Sequence, residues 1–228
     1  MTYPDWCFGI PMFSHLGLIL LTLSQSANAN GGPEIRKTIY EAMVRSTTVE
    51  WTSAFEGKRS LYAPPRIVFL ETPVGHPARG AGYSADVGVV LDLGDLNAVA
   101  QGLGDDGPSM AALLVAHEVG HHVQHLMGDD PEVRGPRREL QADCLAGWWI
   151  AAAGRRAQAD HRAPAYPAID LDLRLAQTLD MLEAVQTRSA PGAPVDRTSH
   201  GTTAARVAAV TRGMAVSEPW TCLWATNP

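Results

Sequence analysis

The chain has 228 residues, 46% of them apolar and 18% charged, with a formal net charge of −6. That length supports one globular core burying roughly 70% of the unfolded surface, and the composition is ordinary for a soluble folded protein. The acidic balance excludes the concentrated positive surface that nucleic acid requires, and no like-charge run or internal repeat points to a tail or a solenoid.

The segment 1–29 differs from the rest. "FGIPMFSHLGLILLTL" (Phe8 to Leu23) is largely apolar and "SQSANAN" follows it, so Ala27 and Ala29 form a small-x-small cleavage pattern. This predicts an export signal removed after Ala29, leaving a single domain over 30–228 in the periplasm or outside the cell. Asp5, with no Lys or Arg among the first seven residues, runs against a signal. An uncleaved membrane anchor and a start assigned upstream of a cytoplasmic protein are the alternatives, so any membrane association runs through this segment alone. With Cys7 removed, Cys144 and Cys222 remain, either as a disulfide in an oxidising compartment or as two buried thiols.

Pro33 opens a predicted helix at the N1 position that tolerates proline, and Ile35, Ile39, Met43 and Val44 continue it to about Phe55. "RIVFLE" (Arg66 to Glu71) reads as a buried strand, "TPVGHPARGAG" as a loop and "VGVVLDL" (Val87 to Leu93) as a second strand. An apolar-periodic helix follows from about Ser109 to Met127, stopped by Gly128. A second runs from Arg137 to about Ala153, with Gly154 as its C-cap, and a third is predicted near 169–187. The last spans about Thr203 to Arg212 and ends at Gly213. The fold class is α+β, mostly α-helical.

"LLVAHEVGHHVQHL" (Leu113 to Leu126) concentrates the chemistry. His117 and His121, four apart, project from one helix face and can share a Zn2+, with Glu118 placed to take a proton from water: the HExxH arrangement. The bland alternative is an amphipathic helix with partly exposed histidines. A third ligand decides between them. One zincin class needs glycine at 124 and histidine at 127, and Gln124 and Met127 exclude it. The other class takes a glutamate from a following helix with an acidic residue four positions on, and "RRELQADCLAG" supplies Glu139 and Asp143. Glu139 completes a His2Glu set, and Asp143 is positioned to fix a ligand histidine, His117 first, in one tautomer. Pairing His121 with His125 instead would leave Glu118 ahead of both ligands. His122 points about 100° away, so His122 and His125 are read as supporting or surface residues. His76 and His161 are read as loop histidines.

"AHEVGHHVQ", "ELQADCLAG" and the late "SHGTTAARV" together resemble the bacterial neutral zinc metallopeptidases, related in their metal site to gluzincins. Their order and spacing carry the match from about Trp51 to Cys222. The resemblance implies a mostly helical zincin fold with a small sheet, one Zn2+ and a peptide or protein substrate. It also implies a substrate-binding edge strand ahead of the metal helix, for which "VGVVLDL" is the candidate. His200 corresponds to a late residue that stabilises an oxyanion, against the alternative of a loop histidine capping a helix. Arg206 supports His200 or pairs with Asp143 or another carboxylate. One departure is the lack of a cysteine pair between Gly75 and Leu93, which bears on substrate preference. The expected activity is peptide-bond hydrolysis with Glu118 as general base. The competing readings are a non-catalytic zinc-containing protein of the cell envelope and hydrolysis of a non-peptide amide.

Overall fold

The computed structural model describes residues 33–58, 61–71, 81–94, 96–97, 107–128, 133–159, 175–176, 179–180 and 200–223. The segment 1–29 expected to direct export, His76, His161 and most of the helix expected at 169–187 lie outside them. Positions 175–176 and 179–180 are helical, and Leu175 and Leu179 are buried there. Helix α1 (Pro33–Phe55) is followed by strands β1 (Ile67–Leu70), β2 (Ala81–Ser84) and β3 (Gly88–Asp92). Helices α2 (Gly107–Leu126), α3 (Pro136–Ala159) and α4 (Thr203–Ala215) come next, and a 3-10 turn over Pro219–Cys222 closes the described chain. The fold is thus α+β and mostly helical, and no helix among the described residues is long and apolar enough to cross a membrane.

The α2 helix forms the centre. Every residue from Met110 to Gln124 is buried, as expected of a helix covered on all sides and not of an amphipathic surface helix. Tyr40, Met43, Val44, Thr47, Trp51 and Phe55 form the buried stripe of α1 at intervals of three and four residues. Trp51 packs on Trp148 of α3, ring centroids 4.6 Å apart, and Phe55 meets Trp220 edge-on at 5.0 Å. This aromatic group joins α1, α3 and the 3-10 turn into one core.

The sheet corrects two expectations. Its order is β1-β3-β2, with β1 parallel and β2 antiparallel to β3. "VGVVLDL" is therefore the central strand and not an edge, which fits the burial of Val89 and Leu91. The antiparallel edge is β2, "AGYS", which starts inside the stretch expected to be a loop and runs just past it. It packs against α2.

Two glycines expected to terminate helices do not. The α3 helix continues past Gly154 to Ala159, and α4 past Gly213 to Ala215. A Cβ at Gly213 would overlap the Cys144 carbonyl, so this glycine serves the close crossing of α4 over α3. Gly128 does end its helix, with φ +93° and its N–H bonded to the His125 carbonyl at 3.0 Å.

A candidate metal centre between two helices

Close approach of α2 and α3 builds the site. Gly120, inside the HExxH segment, faces α3 so tightly that a Cβ there would lie 3.0 Å from the Ala142 carbonyl oxygen. At that separation the Nε2 atoms of His117 and His121 reach one oxygen of Glu139, at 3.2 and 3.1 Å. The ligand atoms of these three residues lie within 4.8 Å of one another, a group able to hold a metal. His117 is 1% exposed and His121 8%, so the rings are held by the core.

The other ring nitrogens are also engaged. His117 Nδ1 lies 2.8 Å from Asp143 Oδ1, and Arg206 of α4 grips the same carboxylate through Nε at 2.9 Å and Nη2 at 3.1 Å. Of the partners left open for Arg206, the structure brings it to Asp143. His121 Nδ1 lies 2.8 Å from Gln124 Oε1, a partner absent from the expected site residues. Its signal is an amide side chain three residues on from His121, close to one turn along the same helix.

Glu118 is buried, and its charge acts on His117. His200 stands at the rim, its Nε2 3.6 Å from Glu139 Oε2 and its ring centroid 6.3 Å from that of His117. It does not cap α4; Thr202 does, accepting from the Ala205 N–H at 3.2 Å. His122 turns away from the site, as expected. Its Nε2 meets the Ala63 carbonyl at 2.6 Å and its Nδ1 meets the Tyr83 hydroxyl at 3.1 Å. It thereby ties β2 and the segment before β1 to α2. Burial lowers its pKa and favours the neutral ring, in which Nε2–H donates to Ala63 and Nδ1 accepts from Tyr83. His125 is exposed near Tyr83.

The cluster attracts positive charge. Burial alone would lower the His117 pKa, but Asp143, followed by Glu139 and Glu118, raises it to about 10. Burial would likewise raise both carboxyls, yet Glu139 is held well below the usual range by His117 and His121, and Asp143 by Arg206 and His117. The donor set suits zinc. Tetrahedral Zn2+ with bonds of about 2.0–2.2 Å separates its ligand atoms by roughly 3.4 Å, close to the 3.1 and 3.2 Å between Glu139 Oε2 and the two rings.

A buried HExxH helix facing an ExxxD helix, beside a small sheet, defines a zincin-like domain. The chain belongs to the family described as "Putative neutral zinc metallopeptidase", whose profile matches residues 21–223. Among curated relatives, uncharacterized protein YpfJ of Escherichia coli is 32% identical over 148 residues, 55% of this chain and 51% of that protein. Uncharacterized protein Rv2575 of Mycobacterium tuberculosis is 31% identical over 129 residues, 51% of this chain and 44% of that protein. The chain thus spans about half the length of the curated relatives it matches. No solved structure matches it.

Proposed function

We propose that the protein is a zinc-dependent peptidase that hydrolyses peptide bonds in a peptide or protein substrate. The observation carrying this is the meeting of two imidazole Nε2 atoms on a single Glu139 oxygen, with Glu118 buried alongside. His117, His121 and Glu139 would hold the ion. When bound, Zn2+ supplies Lewis acidity, polarising a carbonyl and lowering the pKa of water towards roughly 7.

The chain's own residues do the rest. Glu118 follows the first ligand on α2, where it takes the proton from the attacking water and passes it to the leaving amine. His200, at the rim, donates a hydrogen bond to the oxyanion that develops on the substrate carbonyl. Asp143 accepts the Nδ1–H of His117 and so presents its Nε2 lone pair to the site. An extended substrate adds through main-chain hydrogen bonds to an open strand edge, and β2, packed on α2, is the edge nearest the site helix.

A purely structural zinc site has no use for a general base beside its ligand, which favours the enzyme over a non-catalytic envelope protein. Export is part of the proposal. The apolar segment before Ala29 and the Cys144–Cys222 bridge both suit an oxidising compartment. A mature chain beginning at Asn30 is the expected result of N-terminal sequencing, and an intact Met1 would reject it.

The test of the activity is digestion of a broad peptide library with and without chelator. Cleavage should stop on chelation and return with added zinc. Glu118→Gln should keep stoichiometric zinc and lose cleavage; undiminished turnover in the zinc-loaded variant would reject the mechanism.

A further inference from the structure

We infer that Gln124 and Gln141 are positioning residues for His121: together they form a neutral amide relay that fixes which of its ring nitrogens faces the metal site. The inference rests on the proposed metal centre and adds a second support to it, on the side opposite Asp143.

The relay is read from its two ends. Gln124 Nε2 lies 2.9 Å from the Arg138 carbonyl oxygen, and Gln141 Nε2 lies 2.7 Å from the Leu223 carbonyl oxygen. A backbone carbonyl can only accept, so each end dictates the orientation of its amide. With its nitrogen turned to Leu223, Gln141 offers its oxygen to Gln124 Nε2, 3.1 Å away. Gln124 thus spends both amide protons on Arg138 and Gln141, and its own oxygen is left for His121 Nδ1 at 2.8 Å. An amide oxygen cannot donate. His121 must therefore carry a proton on Nδ1, and in the neutral ring the lone pair sits on Nε2, the atom facing Glu139 at 3.1 Å.

Both glutamines are buried, Gln124 at 5% exposure and Gln141 at 7%. A buried amide left unbonded costs about 1–3 kcal/mol, so two such side chains persist in this core only with their partners in place. The relay joins three separate pieces of chain: α2 through Gln124, the start of α3 through Arg138 and Gln141, and the C-terminal turn through Leu223. The last of these is pinned by its neighbour Cys222, which is bridged to Cys144 of α3. The two ligand histidines are consequently oriented by different chemistry. His117 is backed by a carboxylate and a guanidinium, whereas His121 is backed by neutral amides.

The test compares zinc dissociation constants of the full, disulfide-intact chain, measured by competition with a chromogenic chelator. Gln124→Met and Gln141→Met keep the side-chain length and remove the relay, and each should weaken zinc about 10- to 100-fold. His121→Ala and Glu139→Ala serve as controls. If the controls bind zinc as tightly as the unaltered protein, the metal centre itself is misassigned. If they lose zinc while both methionine variants stay within twofold, the relay is overturned and the centre stands. A readout independent of any variant is the tautomer, seen in long-range 15N–1H spectra of the metal-free protein. His121 should appear protonated on Nδ1, and the neutral Nε2–H form in the unaltered chain would overturn the inference even if the methionine variants fail to fold.

Discussion

Arg206 holds Asp143 through two charge-assisted hydrogen bonds, 2.9 and 3.1 Å, although 63 residues separate them and both are 1% exposed. A buried charge tolerates this position only with its partner present. Removing one member leaves the other uncompensated, which typically costs about 3–5 kcal/mol. Arg206→Leu should therefore lower the unfolding free energy by that amount in urea titrations. Arg206→Lys cannot reproduce the fork and should recover only part of it. In the double variant Asp143→Leu with Arg206→Leu, the loss should fall well short of the sum of the single losses. Simple additivity would show that the pair is not coupled.

Much of the site was legible because it is local. HExxH lies within five residues of one helix and Glu139 and Asp143 lie one turn apart on the next, so helical periodicity alone puts His117 with His121, and Glu139 with Asp143, on one face. The cysteine count leaves Cys144 and Cys222 open as a disulfide or as two buried thiols, and only the packing of the C-terminal turn on α3 decides for the bridge. The sheet was less legible: whether "VGVVLDL" is central or at an edge depends on its pairing with Ile67–Leu70 and Ala81–Ser84, which no local pattern encodes. β2 itself is four residues, two of them Gly and Ser, inside a Gly-rich stretch. Gly154 and Gly213 were read as terminators because glycine looks alike whether it ends a helix or lets another helix approach. The relay was hidden for the same reason, since Gln141 and Leu223 lie 82 residues apart.

Gly120 and Gly154 separate a glycine that close helix packing requires from one that neither ends its helix nor meets a neighbour. A methyl group at Gly120 would lie 3.0 Å from the Ala142 carbonyl and 3.2 Å from its Cα, both backbone atoms. Gly120→Ala should push α2 from α3, costing about 1–3 kcal/mol and weakening zinc retention. At Gly154 a Cβ meets nothing within 4 Å and the backbone is helical, so Gly154→Ala should be neutral or stabilising by up to about 1 kcal/mol. Thermal melts and metal analysis after dialysis read both. Equal behaviour of the two variants would contradict the close-packing role of Gly120.

The Cys144–Cys222 bridge joins residues 78 apart and fastens the C-terminal turn to α3, next to Asp143. Closing a loop of this size restricts the unfolded chain, and losing it typically costs about 2–5 kcal/mol. The double variant Cys144→Ser with Cys222→Ser should show that loss in guanidinium unfolding. It should also bind zinc more weakly, because Leu223 no longer holds Gln141 in place. Two thiols titrating in denatured, unreduced, exported protein would mean that the bridge does not form.

His200 decides whether the centre is open or closed. Its Nε2 lies 3.6 Å from Glu139 Oε2, against 3.1 and 3.2 Å for the two ligand rings, and it comes from the loop before α4, not from the helix pair. Three protein ligands leave a position for water and make a catalytic site, whereas four close it. If His200 stabilises an oxyanion, His200→Ala should retain one zinc per chain while kcat falls about 10²- to 10³-fold, the usual loss for one such donor. KM should change little, because the interaction strengthens only in the transition state. If the variant instead loses zinc in parallel with Glu139→Ala, His200 is a fourth ligand and the site is structural. Zinc stoichiometry measured beside peptide turnover in the same preparation separates the two.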